Sequence, residues 1–494
     1  MNSKLTIGWA SRDITPSRPV SLRGLFNLRI ATQVNDPLTV TALALESGGE
    51  QVVFVSLDLC GVDPEVLEAS REALRERLPE LDPLKLIAGA THTHTAPFAG
   101  GSIGLQKDVD YLDDIRARYP DYMTTAEYSE LVVEAVVSAV CEAWQNRREG
   151  HVAWGYSYAV VGENRRVRYF DDRAVMYGDT SAPDFSHIEG HVDHGVNLLF
   201  TYDSDQRLTG MVVNVASPSQ ASEGGQDYVS ADYWHETREE IRRRYGDDLF
   251  VLPQCSAAGD QTPHRLIQAR AEERMLQLKY GEGRSKQRNL ALRQDIARRI
   301  ADAVADAEPA VRQELYDSVP LKHEHRNLEL PHWDVTDEEY ATLQEQMAEL
   351  SEQLKSVGDE DRLDATYTSL RSRLEWCLRA VDRYHNPLAS VPIEMNVVRL
   401  GDIAFATAPF EYYLDFGDRI KGRSDALQTF VIQLTGSCRH LSTGRAAGGY
   451  LPTERAASGC SYGAVPASCR VAPAGGQVIV DEAVAIIKEM FAAQ

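Results

Sequence analysis

The sequence is poor in three things: long apolar runs, cysteine and basic residues. No run reaches the ~18–20 apolar residues that span a bilayer, so we expect no membrane partner. Residues 1–9 lack the apolar segment of a secretory signal, which favours a cytoplasmic location. The seven cysteines are too few and too scattered for a disulfide framework in a chain of 494 residues, and we interpret them as buried or incidental thiols.

The balance of charge is strongly acidic. Lysine and arginine total 51 and aspartate and glutamate total 74, for a formal net charge of −23. Nucleic acids and anionic membranes both require clustered basic side chains, so neither is an expected partner. The 43% of hydrophobic residues are ample for a large core, and no repeat or low-complexity linker divides the chain. We therefore expect one compact α/β domain over residues 1–494.

Two histidines stand close together in the segment Thr91-His92-Thr93-His94-Thr95. The preceding run, residues 84–89, is apolar and predicts a buried strand ended by small residues. On an extended backbone, side chains two positions apart point to the same side, so His92 and His94 should project together where a strand passes into a loop. Zinc accepts such imidazole nitrogens at about 2.0–2.1 Å. Two hydrogen-bonded histidines at a polar strand end are the alternative.

The segments before this pair predict a crossover unit. Residues 38–45 and 51–57 alternate or run apolar on either side of Gly48-Gly49 and indicate a hairpin, and Pro64–Arg77 indicates a helix before the histidine-bearing strand. A strand, a helix and a strand in this order predict parallel pairing, with the functional end at the carboxyl ends of the strands.

Three later segments complete the outline. Residues 335–385 are rich in Glu, Leu, Gln and Arg and contain no proline, which predicts a helical hairpin turning near Gly358, an arm for packing or for contact between subunits. Residues 267–306 are expected to be helical apart from 280–283. Residues 476–491 are expected to hold a short strand and a closing helix.

Six short motifs follow one another along the chain. They are Arg12-Asp13-Ile14-Thr15-Pro16, Ala90-Thr91-His92-Thr93-His94, Asn164-Arg165-Arg166, Ala257-Ala258-Gly259-Asp260-Gln261-Thr262-Pro263, Pro409-Phe410-Glu411 and Tyr450-Leu451-Pro452-Thr453. In this order they resemble the catalytic domain of the neutral, or non-lysosomal, ceramidase family over nearly the whole chain. The resemblance implies a single large mixed-sheet α/β domain and a zinc ion as cofactor. The family's C-terminal immunoglobulin-like domain has no counterpart in residues 1–494.

The resemblance also implies roles for single residues. His92 matches the family's first histidine ligand of zinc, Glu411 its carboxylate ligand and Tyr450 its tyrosine ligand. His94 matches the histidine that lies beside the metal and contacts the substrate. Thr262 stands where the family has a catalytically important serine in the motif Gly-Asp-X-Ser-Pro, and its hydroxyl can keep the hydrogen-bonding role.

One position departs from the family pattern. The family's second histidine ligand lies in a strand-end motif, and here residues 215–220 place Ser217 at that position. A neutral serine is a poor ligand for zinc, which prefers imidazole, thiolate or carboxylate. Either a nearby group substitutes, or the site takes a different or weaker metal, or the metal is lost. The candidates for a substitute ligand are His191, His194, Glu223 and His235.

We expect a metal-dependent hydrolase that cuts an amide bond, in line with the resemblance. Zinc lowers the pKa of its bound water to about 7, and a histidine such as His94 or His191 can move the proton. Thr262 and the backbone N–H groups of 258–260 can stabilise an oxyanion. The candidate catalytic residues are His94, Thr262, Asp260, His191 and His194. A lyase or isomerase of sugar acids and a binding protein without catalysis are the alternatives.

The expected substrate is small and polar, such as an amidated or acylated sugar, rather than ceramide. Ser217 adds polar character and the loops offer several cationic groups, while no apolar surface helix or lipid-facing domain is evident. The candidate substrate-binding residues are Arg165, Ser217, Gln220, Glu223, His264, Arg439 and His440. The only partner expected besides this small molecule is a second copy of the chain, suggested by the long helical arm.

Overall fold

The computed structural model describes residues 4–100, 108–222, 227–283, 290–438 and 449–492. Its strands are β1 Thr6–Asp13, β2 Val20–Ser21, β3 Ile30–Ala31, β4 Gln33–Val34, β5 Thr39–Ser47, β6 Glu50–Leu57, β7 Leu86–Ala90, β8 Arg148–Tyr158, β9 Glu163–Asn164, β10 Arg166–Tyr169, β11 Ala174–Met176, β12 Phe185–Ile188, β13 Gly195–Asp203, β14 Leu208–Val215, β15 Tyr228–Val229, β16 Phe250–Cys255, β17 Gln261–Thr262, β18 Leu321–Pro331, β19 Ser390–Leu400, β20 Ile403–Ala408, β21 Glu411–Tyr412, β22 Gln428–Gln433 and β23 Tyr450–Leu451. Its α-helices are α1 Pro64–Arg77, α2 Leu112–Arg118, α3 Thr125–Gln145, α4 Tyr233–Tyr245, α5 Ala269–Tyr280, α6 Leu290–Val311, α7 Asp337–Val357, α8 Ala365–His385, α9 Leu414–Arg423, α10 Glu454–Ser458 and α11 Pro473–Ala492.

The larger of two main sheets is mixed. Its eight strands run in the order β16-β14-β13-β8-β1-β5-β6-β7. The outermost pairs, β14 with β16 and β6 with β7, are parallel, and the inner pairs are antiparallel. Because α1 connects β6 to β7, the predicted crossover unit is confirmed, as is the hairpin of β5 and β6.

A second sheet packs face to face on the first. Its strands run in the order β18-β19-β20-β22, with β20 and β22 parallel. The shared core includes the aromatic trio Phe54, Phe405 and Phe430, whose neighbouring ring centroids lie 4.8 and 4.5 Å apart. Aromatic contacts of this kind add to the burial of apolar area, so the sheet–sheet interface is a principal source of stability.

Helices cover the outer faces of both sheets. Helices α1 and α3 pack on one half of the larger sheet, and α4 and α6 pack on the other half. Helices α9 and α11 pack on the smaller sheet. The order of layers is therefore helix, sheet, sheet and helix, and the fold class is the mixed α/β class expected from the sequence.

The helical hairpin arm is present as α7 and α8. Helix α7 begins at a capping box, in which the Thr336 hydroxyl accepts from the backbone N–H of Glu339 and the Glu339 carboxylate accepts from that of Thr336. It ends at Gly358, the residue at which the turn was predicted. Tyr340 and Tyr384 stack at 4.1 Å and join the two helices.

Two helical segments differ from the sequence predictions. The chain from Pro473 to Ala492 is one helix, with no strand before it. The β-branched run at 478–480 suggested a strand, but Ile479, Val480, Ala483 and Ile487 recur at helical spacing and bury one face against the smaller sheet. Helix α6 runs to Val311, five residues beyond the predicted end at 306. In the described part of the chain, no helix is both long enough and apolar enough for a membrane span.

Candidate metal centre and active site

Segments that follow the carboxyl ends of strands in both sheets meet at one place. They follow β6, β7, β14 and β16 in the larger sheet and β20 in the smaller sheet. In that order they carry Cys60; His92 and His94; Gln220; Asp260 and Thr262, the latter in the short strand β17; and Glu411, in the short strand β21. Ligand sites of open α/β sheets form at such strand ends, so the topology explains why residues far apart in sequence converge here.

His92 does not lie on an extended strand, contrary to the sequence prediction. Strand β7 ends at Ala90, and His92 has a φ of +64°, which costs a non-glycine residue roughly 1–2 kcal/mol. Its N–H donates to the carbonyl of Leu59 at 2.9 Å, and its Nδ1 donates to the carbonyl of Cys60 at 2.6 Å. Since a carbonyl oxygen only accepts, Nδ1 carries a proton and Nε2 is the ring nitrogen that faces the site.

The imidazoles of His92 and His94 do meet, for this different reason. Their rings are edge to face with centroids 4.9 Å apart, and their Nε2 atoms are 3.4 Å apart. Nε2 of His92 is also 3.4 Å from Oε2 of Glu411. Nε2 of His94 accepts a hydrogen bond from the side-chain amide of Gln220 at 2.7 Å. His92 and Glu411 therefore face each other, and His94 lies beside them, held by its own hydrogen bond from Gln220.

Cys60 also joins this group, a role that was not predicted from the sequence. Its Sγ is 3.8 Å from Nδ1 of His92, and one donor atom each from Cys60, His92 and His94 lie within 4.8 Å of one another. The available signal was the parallel pairing of β6 and β7, which brings the residues after both strands to one edge. Thiolate and imidazole are donors that zinc takes, so Cys60, His92 and His94 fit a divalent metal ion, and the carboxylate of Glu411 lies beside His92.

The charges at this cluster favour a cation. Burial alone would raise the pKa of the Cys60 thiol, but His92 and His94 lower it well below its usual range. Burial opposes protonation of His92, yet the nearby Cys60 and Glu411 raise the pKa of His92 to about 10. Burial would raise the pKa of Glu411, and His92 and Arg165 lower it. Sulfur and carboxylate thus create a negative field that a bound cation would satisfy.

Tyr450 and Arg165 complete one side of the group. Strand pair β21 and β23 puts Glu411 directly opposite Tyr450 in parallel register. Nη2 of Arg165 is 3.6 Å from Oε2 of Glu411 and 3.3 Å from the hydroxyl of Tyr450, and it donates to the carbonyl of Gly259 at 2.9 Å. The fully buried Arg165 therefore links the glycine-containing loop to both predicted oxygen ligands.

Thr262 lies behind Arg165 rather than beside the metal donors. The hydroxyl of Tyr177 donates to Oγ1 of Thr262 at 3.2 Å, and Nη1 of Arg165 donates to the same tyrosine hydroxyl at 3.2 Å. The N–H of His264 also donates to Oγ1 of Thr262, at 3.2 Å, while its ring donates to the carbonyl of Gln220 at 2.9 Å. Tyr177 was not anticipated, because nothing in its local sequence distinguishes it.

Asp260 has a positioning role in this arrangement. Its carboxylate accepts from Nδ2 of Asn164 at 2.7 Å and from the backbone N–H of Leu414 at 3.0 Å, and its carbonyl accepts from the N–H of Arg165 at 2.9 Å. Burial raises the pKa of Asp260. The residue thus fixes Arg165 and the start of α9 relative to each other.

Several predicted site residues lie elsewhere. The hydroxyl of Ser217 donates to the backbone carbonyls of Val161 at 3.4 Å and Pro218 at 3.3 Å, so it is turned towards the main chain. His191 pairs with Asp418 and lines a separate cavity, and His194 contributes its backbone carbonyl to the N–H of Ala159. His235 lies among the charges of Asp36 and Arg293. Glu223, Arg439 and His440 fall outside the described residues.

The structure as a whole is similar to two solved ceramidase structures. A crystal structure of neutral ceramidase from Pseudomonas aeruginosa matches with a TM-score of 0.65 and 15% sequence identity, over 99% of this chain and 75% of that one. A structure described as ceramidase complexed with C2 matches with a TM-score of 0.66 and 15% identity, over 99% and 76%. The chain has the neutral ceramidase fold. No protein-family profile and no curated protein sequence matches it.

In this neutral ceramidase fold, the clustered residues line a cavity of about 270 Å³. Cys60, His92, His94, Glu411 and Tyr450 form one part of its wall. Other parts are aromatic or basic, namely Phe26, Phe98, Trp376, Tyr462, Arg23, Arg379, Arg383 and Arg470. Three of these side chains belong to α8, so the helical arm contributes directly to the cavity. From the sequence, only a packing or subunit-contact role was expected for the arm.

Proposed function

We propose that the protein is a metal-dependent hydrolase that cuts an amide bond in a small polar substrate. One observation supports this above all: the imidazole of His92, the carboxylate of Glu411 and the thiol of Cys60 converge on the wall of a cavity, with His94 beside them. The neutral ceramidase fold and the family resemblance of the motifs point to the same class of reaction. A fold alone does not establish a reaction, so the donor cluster is the decisive support.

The metal would be held by Nε2 of His92 and a carboxylate oxygen of Glu411. Cys60, whose Sγ lies within 4.8 Å of a ring nitrogen of His92 and of His94, would supply a soft third donor, and Tyr450 a hydroxyl opposite Glu411. When bound, a divalent ion polarises a carbonyl group and lowers the pKa of a coordinated water to about 7. The resemblance places Ser217 where the family has its second histidine ligand, and the thiol of Cys60 would take the place of that imidazole.

The protein's own residues would orient the substrate and carry the proton. His94 lines the cavity, and its Nε2 lies 2.7 Å from the side-chain amide nitrogen of Gln220. This hydrogen bond fixes the plane of the ring. Nε2 can take a proton from an attacking water when the substrate displaces this amide contact. Arg165 holds a fixed positive charge beside Tyr450 and Glu411, which favours a developing oxyanion. Thr262 would help to position the guanidinium of Arg165 through the hydroxyl of Tyr177, which contacts both residues.

The cavity favours a compact substrate over ceramide. Its volume of about 270 Å³ is close to the lower end of the ~300–1,000 Å³ typical of ligand pockets. Its wall carries charged side chains, and Arg23 pairs with Asp63 at 2.7 Å inside it. The two long hydrocarbon chains of ceramide would have to lie against these charges, which is unfavourable.

Metal analysis together with two variants tests the proposal. We expect the purified protein to contain about one divalent ion per chain, and His92→Ala and Glu411→Gln to lose most of the ion and of the amide-hydrolysing activity. His187→Ala is the matched control, since His187 is exposed on β12. N-acyl sugars and ceramide are compared as substrates. A metal-free protein, or His92→Ala with undiminished activity, would refute the proposed function.

A further inference from the structure

A buried segment between β15 and α4, residues 230–232, contacts two loops that meet at the site. One of them, residues 91–95, carries His94 and is called here the histidine loop. The other, residues 217–222, carries Gln220 and is called here the glutamine loop. The hydrogen bond of 2.7 Å between the side chains of His94 and Gln220 joins the two loops. The orientation of the His94 ring therefore depends on whatever holds these loops together.

The histidine loop is fixed by the main chain of Ser230. The hydroxyls of Thr93 and Thr95 both donate to the carbonyl of Ser230 at 2.9 Å. The backbone N–H of Ser230 donates in turn to the carbonyl of Thr95 at 2.9 Å. Both threonines are buried, and they are the neighbours of His94 on either side. Three hydrogen bonds thus hold the backbone around His94 against a single residue of the segment.

The glutamine loop is fixed by the other end of the segment. Oδ1 of Asp232 accepts from the backbone N–H of Ala221 at 3.1 Å, and Oδ2 accepts from that of Ser222 at 2.7 Å. The hydroxyl of Tyr233, the next residue along the chain, donates to the carbonyl of Ser217 at 3.0 Å. The glutamine loop is therefore held at both of its ends.

Asp232 has an unusual backbone conformation. Its φ of +57° and ψ of −149° form a combination that is rare for a residue with a side chain. Such a conformation persists only where surrounding contacts impose it, and it is typical of functional sites. Here it places the carboxylate of Asp232 on the glutamine loop while the carboxylate also caps α4.

A buried ion pair keeps the segment in place. Oδ1 of Asp36 accepts from the N–H of Ala231 at 2.7 Å, and Oδ2 accepts from the hydroxyl of Ser230 at 2.6 Å and from Nη2 of Arg293 at 2.7 Å. Arg293, on α6, also pairs with Glu236 at 2.8 Å. Burial would raise the pKa of Asp36, but Arg293 and Ser230 lower it below its usual value. The carboxylate is therefore ionised and accepts all three hydrogen bonds at neutral pH.

We propose that segment 230–232 sets the position of His94 relative to Gln220, with Thr95 and Asp232 as its positioning residues. The inference rests on the proposed function for the role of His94, which takes the proton from the attacking water. Neither positioning residue is among the described residues that line the cavity, so both act through the two loops rather than on the substrate. Misplacing a catalytic group by about 1 Å can cost roughly 10²-fold in rate.

The geometry is tested first, without turnover. Thr95→Val replaces the hydroxyl by a methyl group of similar size, and Asp232→Asn replaces one acceptor oxygen by an amide group. In crystal structures of these variants, we expect the distance between Nε2 of His94 and Nε2 of Gln220 to increase from 2.7 Å to beyond hydrogen-bond reach, about 3.2 Å. Thr95→Ser, which keeps the hydroxyl, should retain the wild-type distance. An unchanged contact in both Thr95→Val and Asp232→Asn would overturn the inference.

Kinetics with an N-acyl sugar then separate positioning from general stability. We expect kcat to fall roughly ten- to hundredfold in Thr95→Val and Asp232→Asn, with KM and metal content unchanged. Thr95→Ser should restore the wild-type kcat. Thr201→Val is the matched control, since it also removes a buried hydroxyl, one that donates to the carbonyl of Gly210 at 3.2 Å in β14. It should lose stability and keep the wild-type kcat.

A double-mutant cycle with Gln220→Ala decides whether Thr95 acts through the contact with His94. Substitutions that act through one shared contact are not additive. Thr95→Val should therefore have little effect on kcat in the Gln220→Ala background, and an equal loss in both backgrounds would overturn the inference. A lengthened contact in the variants of a protein that hydrolyses no amide would support the positioning and refute the proposed function alone.

Discussion

Replacing Gly24 with alanine should displace the ring of His94. Gly24 has a φ of +116°, and a Cβ at this position would lie 2.8 Å from both the Cβ and the Cδ2 of His94 and closer still to its Cγ. His94 is also held by the Gln220 amide at 2.7 Å and, through its carbonyl oxygen, by Arg29 at 2.7 Å. The ring can therefore make room only by giving up one of these contacts.

Two costs add in this variant. A side chain in the positive-φ region costs roughly 1–2 kcal/mol, and forcing an extra methyl group into a packed site costs roughly 1–3 kcal/mol. We expect Gly24→Ala to lower the free energy of unfolding by roughly 2–5 kcal/mol. At about 2.1 cal/mol/K of unfolding entropy per residue, a chain of this length changes in Tm by only about 1 °C per kcal/mol. Urea unfolding is therefore the more sensitive assay.

Gly49→Ala is the matched control for the backbone term. Gly49 has a φ of +84°, and a Cβ there meets nothing within 4 Å. Gly49→Ala should lower the free energy of unfolding by the backbone cost alone and keep full activity. Gly24→Ala should be less stable than Gly49→Ala, and its kcat should fall at least tenfold if His94 carries the proton. If the two variants are equally stable and equally active, the close approach of Gly24 to His94 has no consequence and the reasoning is wrong.

Three further variants test other contacts. Burial would raise the pKa of Glu394, but its bidentate pair with Arg71 lowers it to about 2. Glu394→Gln should therefore lower the free energy of unfolding by about 3 kcal/mol near pH 7. This difference should disappear as the pH falls from about 4.5 towards 2, because Glu394 becomes protonated. If Cys60 binds the metal, the Co²⁺-loaded protein should show a near-ultraviolet thiolate-to-metal band, and Cys60→Ser should remove it. Gly259→Ala should lower metal affinity at least tenfold, because its Cβ would lie 2.6 Å from the carbonyl carbon of Glu411.

Each of these three predictions has a direct check. Urea unfolding of wild type and Glu394→Gln at several pH values should give curves that converge in acid, and a gap independent of pH would contradict the ion-pair explanation. Cys460→Ser, at an exposed cysteine, should keep the cobalt band. A metal titration of Gly259→Ala with wild-type affinity would mean that the Glu411 backbone tolerates the displacement.

Some elements follow from local pattern. Helix α1, the arm helices α7 and α8 and the hairpin of β5 and β6 were predictable because apolar spacing, capping residues and the absence of proline act over a few residues. The closing helix α11 was partly misjudged, since a β-branched run is ambiguous until its packing partner is known. The order of strand, helix and strand was also enough to predict the parallel pair that presents His92.

The histidine pair shows where local reasoning stops. Spacing alone predicted that His92 and His94 would point the same way, and the rings do lie together. The cause is different, since His92 is held at a positive φ by hydrogen bonds to Leu59 and Cys60 on the neighbouring loop. That loop is near only because β6 and β7 pair in parallel.

By itself, the sequence determined the mixed α/β class, the crossover unit, the helical arm and the motifs that carry His92, Glu411 and Tyr450. Only the tertiary structure decided that Cys60 joins His92, that Ser217 faces the main chain and that α8 brings Arg379 and Arg383 into the cavity. The physical reason is that propensity and periodicity act between near neighbours in the chain. Which loops share a strand edge, and which helix closes a cavity, depends instead on the packing of whole layers against one another.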